Sequence, residues 1–244
     1  MITSKQNQLI KLIRSLTDKK TRDETGLFTV EGVKSVKEAI NSNLELYALI
    51  YTEKHEKEFS NVYDVQTELV SPELMDYIST EVTPQGVLAV VKKPCTGFVA
   101  PTSSSVLLDG VSDPGNVGSI IRTAVAFGYN EIYLTQDSAD PYSQKAVRAS
   151  MSGIFKAKVY ITTREEVKEK LGIPIIVADM NGEDVFNFKI KSSFCLVIGN
   201  EAHGVSDEIL SLAKGVVKIP MQNGMESLNA SVSAGILLYN LKTR

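Results

Sequence analysis

Residues 105–135 read SVLLDGVSDPGNVGSIIRTAVAFGYNEIYLT, and the way this stretch is parsed decides the fold. SVLLDG is an apolar run closed by a glycine, the composition of a strand covered on both faces. Val117, Ile120, Ile121, Ala124, Val125 and Phe127 then make a helix that looks apolar on nearly every side, opened by Pro114 and Asn116. EIYLT is a second strand. Strand, helix and strand in succession predict a βαβ unit with its two strands parallel. Gly110, Gly115 and Gly118 sit at the turn, but their spacing departs from G-x-G-x-x-G and Pro114 interrupts it, so a dinucleotide-binding fingerprint is disfavoured.

The pattern continues downstream. Helix near 143–150, strand AKVYI, helix REEVKEKL, strands PIIVADM and FCLVIGN, a short helix after Ser206, strand GVVKIP and a final helix SLNASVSAGILLYNL follow in order. Alternation of this kind predicts an α/β domain with a mostly parallel sheet, whose ligands bind at the carboxyl ends of the strands. Upstream, residues 4–20 place Leu9, Ile13 and Leu16 at helical spacing. LFTVEG, LYALIYT and QGVLAVVKK read as strands, VKSVKEAI as a helix, and SPELMDYIS as a helix with Ser71 as N-cap and Pro72 behind it. The proline, glycine and serine content of KPCTGFVAPTSSS marks a linker. The organisation expected is a small α/β domain over residues 1–95, a linker over 96–104 and a larger domain over 105–244.

The chain has 244 residues, of which 43% are hydrophobic and 23% charged, with a net charge of −3. That balance is ordinary for a globular protein and argues against wholesale coating of nucleic acid. A local basic stretch exists all the same: Lys5, Lys11, Arg14, Lys19, Lys20 and Arg22 face only Asp18 over the first 22 residues. It reads either as a solvated helix face or as a contact to phosphates. No apolar run approaches the roughly 20 residues needed to cross a bilayer, and no secretory signal is expected at the amino terminus. Cys95 and Cys195 form no Cys-x-x-Cys pair and His55 and His203 are the only histidines, so no metal site and a reducing, cytoplasmic setting are expected.

Three loops that follow strands carry polar residues. In the first, Asn116 has the composition of an N-cap, whereas Arg122 on its apolar helix needs a structural ion pair or an anionic ligand. In the second, CLVIGNEAHGVS, Gly199 permits close backbone approach of a ligand and Glu201 is either a solvated carboxylate or the counter-ion of Arg122. His203 reads as an exposed loop residue. In the third, Glu226, Ser227 and Asn229 crowd the start of the last helix; capping accounts for Ser227 but poorly for Asn229. The small apolar face of that helix, Ala230, Ala234, Gly235 and Leu238, fits core packing or a partner's surface equally.

DPGNVGSIIRTAVAFG, LVIGNEAHGVS and IPMQNGMESLNASVSAGILLYNL together resemble the three ordered motifs of the SpoU/TrmH family of RNA ribose 2′-O-methyltransferases, in the SPOUT superfamily, over about residues 105–241. Residues 1–95, with FTVEG and TPQGVLAVVKK, are similar to the family's amino-terminal RNA-substrate-binding domain, a ribosomal-protein-like α/β fold. The resemblance implies a sheet whose carboxyl-terminal segment is threaded into a deep trefoil knot, where periodicity alone predicts an open Rossmann-like sheet. It also implies a homodimer through the carboxyl-terminal domain.

By the same resemblance, S-adenosylmethionine is the cofactor, held at Ile198, Gly199, Ile219, Met221, Leu228 and Asn229. The reaction implied is methyl transfer to a ribose 2′-hydroxyl, in large-subunit ribosomal RNA. Arg122 contacts the RNA phosphate and activates the hydroxyl, either as a base or, more easily for a guanidinium that is almost never neutral, by holding the phosphate and stabilising the developing alkoxide. Asn116 and Glu201 orient it, and Ser227 and Asn229 place substrate or cofactor. The basic stretch of residues 5–22 adds affinity for RNA. The alternatives are a tRNA ribose methyltransferase and a non-catalytic RNA-binding or ribosome-assembly protein of the same fold.

Overall fold

The computed structural model describes residues 1–42, 44–62, 65–94, 97–225 and 227–242. Along the chain come α1 (Gln8–Ser15), α2 (Lys19–Thr25), β1 (Leu27–Glu31), α3 (Val33–Ile40), β2 (Leu46–Tyr51), α4 (Glu56–Phe59), β3 (Gln66–Leu69), α5 (Pro72–Ile78) and β4 (Val87–Lys92). Then follow β5 (Ser105–Asp109), α6 (Pro114–Ala126), β6 (Glu131–Thr135), α7 (Gln144–Ser150), α8 (Gly153–Lys156), β7 (Lys158–Thr162) and α9 (Arg164–Lys170). The last are β8 (Ile175–Asp184), β9 (Cys195–Gly199), α10 (Asp207–Leu210), β10 (Ala213–Lys218) and α11 (Ala230–Lys242). They form two units: Met1–Cys95 with Tyr142–Phe155, and Thr96–Pro141 with Lys156–Arg244. Cys95 and Glu226, both singled out in the sequence, lie outside the described residues.

The first unit is built on a sheet of order β1-β4-β2-β3, with β4 antiparallel to β1 and β2, and β3 parallel to β2. Leu9, Ile13 and Leu16 are buried with Ile50, Ile78 and Leu88, as their spacing predicts. The basic stretch is two helices rather than one. The chain turns at Leu16, and Asp18 then caps α2 by accepting the Lys20 N–H (3.1 Å). Helix α5 starts as read, with the Ser71 hydroxyl accepting the Leu74 N–H at 3.3 Å. Tyr142–Phe155 completes this unit: the Tyr142 ring packs 5.0 Å from Phe28, Gln144 donates to Thr29 Oγ1 (3.1 Å) and Arg148 to Thr80 Oγ1 (3.1 Å).

The second unit holds a six-stranded sheet of order β10-β8-β9-β5-β6-β7 in which every neighbouring pair is parallel. This is the α/β architecture expected. From β5 the chain moves out through β6 to β7, then returns to the other side, where β9 pairs with the free edge of β5. The loops that leave β5 and β9 therefore diverge from adjacent strands, which opens a crevice at their carboxyl ends. Helix α11 packs on α6. A methyl at Gly235 would meet the Thr123 side chain at 3.5 Å, and Ala234, Leu237 and Leu238 are fully shut from solvent. The small face of α11 is thus covered by the chain itself, while Val232 and Tyr239 on its other side stay exposed. Among the described residues no helix is long and apolar enough to cross a membrane.

Candidate active site

A cavity of about 680 Å³ opens beside the middle of β8 and at the carboxyl ends of β9 and β10. Ile198, Gly199, Ile219, Met221, Leu228 and Asn229 all line it, so the six positions assigned to a cofactor meet in one place. Gly199 is required there for a reason that differs from the one expected. A Cβ on it would lie 2.3 Å from Gly204 C and Val205 N, because the following loop folds back over it. The close approach is made by the chain's own backbone. Asn200 fixes that fold-back: its Oδ1 accepts the Ala202 and His203 N–H groups (2.9 and 3.1 Å) and its Nδ2 donates to Gly110 O (2.7 Å).

The loops after β5 and β9, and the start of α11, are joined by a polar relay. The Glu201 carboxylate accepts the Ser112 N–H (3.0 Å) and hydroxyl (2.8 Å), the Asp113 N–H (3.3 Å) and Asn116 Nδ2 (2.8 Å). Asn116 Oδ1 in turn accepts Asn229 Nδ2 at 2.9 Å. Asn229 Oδ1 accepts the Ser231 N–H and hydroxyl (2.9 and 2.6 Å) and the Val232 N–H (3.3 Å). Both amide orientations are forced, because the carboxylate only accepts and the backbone N–H groups only donate. Partial burial pushes the Glu201 carboxyl up, but the bonds from Asn116 and Ser112 outweigh it and hold the group at about 2.

Two capping assignments change. Asp113, not Asn116, caps α6, accepting the Asn116 N–H at 2.9 Å; this leaves the Asn116 side chain free to bridge Glu201 and Asn229. Helix α11 starts at Ala230, so Asn229 is its cap and Ser227 lies ahead of it on the cavity wall. The counter-ion expectation for Arg122 also fails. Glu201 is occupied by α6's first turn and the loop before it, and among the described residues Arg122 makes no ion pair with it. Arg122 is exposed, on the side of α6 that carries Ser119 and Ala126, whereas Val117, Ile120, Ile121 and Ala124 are buried. The helix therefore has one open face, and the arginine stands on it without a desolvation cost.

Of the basic residues assigned to RNA, Lys5, Lys11, Arg14, Lys19 and Lys20 are exposed. Lys5 and Arg14 both lie over the Tyr77 ring, at 4.4 and 5.4 Å from its centre. Arg22 is not a surface cation. It is buried, and its NH1 donates to the Leu16 and Thr17 carbonyls (2.8 and 2.9 Å), holding the turn between α1 and α2. His203 is exposed, as read. No group of histidine, cysteine, aspartate and glutamate side chains among the described residues could hold a metal ion.

Asn200, Ser112 and a charge cluster around the buried Asp109 went unread in the sequence. Asp109 closes an apolar strand beside a glycine, and that pattern was the available signal.

The profile of the SpoU rRNA methylase family matches residues 103–239, and that of an MRM3-like substrate binding domain matches residues 7–89. The chain belongs to the SpoU rRNA methylase family. It is 29% identical over 245 aligned positions to the 23S rRNA (guanosine(2553)-2′-O)-methyltransferase RlmP of Bacillus subtilis, covering 99% of this chain and 98% of that protein. The 23S rRNA (uridine(2479)-2′-O)-methyltransferase of Streptomyces viridochromogenes is 30% identical over 258 positions, 98% of this chain and 90% of its own. The solved structure of an AdoMet-bound rRNA methyltransferase from Sinorhizobium meliloti superposes with a TM-score of 0.89 at 29% identity, over 98% of this chain and 95% of that one. The SpoU methyltransferase AviRb of Streptomyces viridochromogenes, in complex with AdoMet, gives 0.87 at 28% identity over 98% of both.

Proposed function

We propose that this member of the family transfers a methyl group from S-adenosylmethionine to a ribose 2′-hydroxyl of large-subunit ribosomal RNA. The observation that carries this is the meeting, at Glu201 and Asn229, of a nucleoside-sized cavity and a relay that runs through the helix bearing Arg122. The near full-length similarity to enzymes named for 2′-O-methylation of 23S rRNA supports the choice of substrate.

The residues present fit the cofactor. About 680 Å³ suits a ligand of that size. Ile198, Met221 and Leu228 offer apolar surface for a base, backbone groups around Gly199, Ile219 and Leu228 read its edge, and Asn229 supplies a polar end. When bound, S-adenosylmethionine supplies an electrophilic methyl group on a sulfonium sulfur. Arg122 holds the phosphate beside the reacting sugar and stabilises the negative charge that grows on the 2′-oxygen as its proton leaves to solvent. A guanidinium is not a base at neutral pH, and Glu201, held ionised by its donors, serves as an anchor. Asn116 and Glu201 fix the first turn of α6, and so the start of the helix that presents Arg122. Ser227 and Asn229 position substrate or cofactor.

Residues 1–95 serve as the RNA-binding domain, joined through 96–104 to the methyltransferase domain at 105–244. Lys5, Lys11, Arg14, Lys19 and Lys20 add phosphate contacts. The methyltransferase domain carries the family's trefoil knot and pairs with a second copy in the cytoplasm. The exposed Val232 and Tyr239 of α11 offer an apolar surface for that pairing. The test is transfer of labelled methyl from S-adenosylmethionine to 23S rRNA, with the label recovered at a 2′-oxygen. Arg122→Ala should keep wild-type affinity for S-adenosylhomocysteine and lose on the order of 10²-fold in turnover. Wild-type turnover in that variant rejects the role of Arg122, and absence of cofactor binding to the native chain rejects the function.

A further inference from the structure

We infer that Arg164 is a positioning residue for the cofactor cavity, acting through Asp109 and Ser206 on the loop at 200–205. The inference rests on the reading of that cavity as the S-adenosylmethionine site.

Asp109 ends β5, and its side chain is wholly shut from solvent. A carboxylate there is tenable only if each oxygen is satisfied. Oδ1 accepts Arg164 Nε at 2.8 Å and lies 2.7 Å from its NH2. Oδ2 accepts the Ser206 N–H at 2.8 Å and the Ser206 hydroxyl at 2.7 Å. Arg164 NH2 also donates to Asp137 Oδ2 (2.8 Å), and its Nε to Ser206 Oγ (3.0 Å). One guanidinium thus joins the end of β5, the loop after β6 and the start of α10.

Two local sacrifices show that the cluster is favoured over secondary-structure preference. Arg164 is the first residue of α9, where a cation opposes the helix dipole. Ser206 occupies the N-cap position of α10 but makes no capping bond, its hydroxyl being committed to Asp109. Ser206 closes the loop that began at Asn200, and Asn200 is itself tied to Gly110 O at 2.7 Å. Both ends of the loop are therefore stapled to consecutive residues of one strand terminus. Between the staples, Glu201, Ala202, His203 and Gly204 line the cavity. Removing the cation leaves the enclosed Asp109 carboxylate without its counter-charge, so that it turns outward and releases the Ser206 end. A cavity wall loosened in this way holds its ligand less well.

The test uses the full-length chain with Arg164→Met and with Ser206→Ala, which keeps the ion pair and guards against a variant that fails to fold. Hydrogen exchange without ligand should quicken about tenfold at residues 200–206, while Leu237 and Leu238 in α11 exchange as in the wild type. Calorimetry should show S-adenosylhomocysteine bound about tenfold more weakly by Arg164→Met, with partial rescue in Arg164→Lys. The double variant should be no worse than Arg164→Met alone, since both changes act on one link. Unchanged exchange at 200–206 in both variants overturns the inference, as do additive effects or an unaltered dissociation constant. A wild-type chain that binds no S-adenosylhomocysteine defeats the cofactor reading instead, and the exchange data still decide whether Arg164 holds the loop.

Discussion

Replacing Glu201 with glutamine puts an N–H donor into a relay whose every direction is fixed. If the new amide nitrogen takes the place of Oε1, it faces Asn116 Nδ2 at 2.8 Å and the Asp113 N–H at 3.3 Å. If it takes the place of Oε2, it faces the Ser112 N–H at 3.0 Å. Hydrogen bonds to a charged acceptor contribute about 1.5–3 kcal/mol, and solvent access here reduces that to about 1 kcal/mol for each of roughly two bonds lost. Asn116 can relieve the clash only by turning its amide, which sets its nitrogen against Asn229 and weakens the α11 cap, a further ~1 kcal/mol. The expected loss is about 2–3 kcal/mol, or a fall in Tm of roughly 4–12 °C, read by scanning calorimetry.

The pH dependence separates this from generic damage. The Glu201 carboxyl is held at about 2 against an ordinary 4.5. Its folded value lies below the unfolded one, so its contribution is complete above pH 4.5 and fades as pH falls towards 2. Glutamine does not titrate. The gap in Tm between wild type and Glu201→Gln should be flat near neutrality and narrow between about pH 4.5 and 2. A gap that keeps its neutral-pH size at pH ~3, or no gap at all, refutes the relay as described.

Gly199→Ala places a methyl 2.3 Å from backbone atoms that cannot rotate away, so it should cost about 1–3 kcal/mol and weaken S-adenosylhomocysteine binding more than ~10-fold by calorimetry. Arg22→Met removes the bonds to the Leu16 and Thr17 carbonyls and should destabilise the first unit by about 2 kcal/mol in urea titrations, while the folded protein keeps its RNA affinity. Lys5→Ala with Arg14→Ala should do the opposite, sparing Tm and lowering the salt slope of RNA binding by roughly 1.5, measured by filter binding from low to moderate salt.

The parallel sheet was legible because its strands are apolar on both faces and the helix after β5 carries a clear start signal in Pro114. Strand β3 escaped notice because Gln66, Thr67 and Glu68 lack the apolar alternation that marks a half-buried strand. Ser112 of the relay was not legible, whereas Asn116, Glu201 and Asn229 were, since polar side chains at three strand-to-helix corners of one sheet converge. Their wiring was not. Pairing Arg122 with Glu201 follows from charge alone, whereas the structure satisfies Glu201 with one amide, one hydroxyl and two backbone N–H groups. The bonds of Asp109 to Ser206, nearly a hundred residues away, leave no periodic trace in a sequence.

Tyr142–Phe155 falls inside the stretch matched by the methylase profile, yet it packs with Met1–Cys95. The polypeptide therefore passes from one unit to the other three times, at 95/96, 141/142 and 155/156. Neither half can be excised with a single cut: a fragment beginning after residue 95 would strip Phe28 from the Tyr142 ring and invite aggregation. Grafting the recognition half of one relative onto the chemistry of another would mean moving two separate gene segments together.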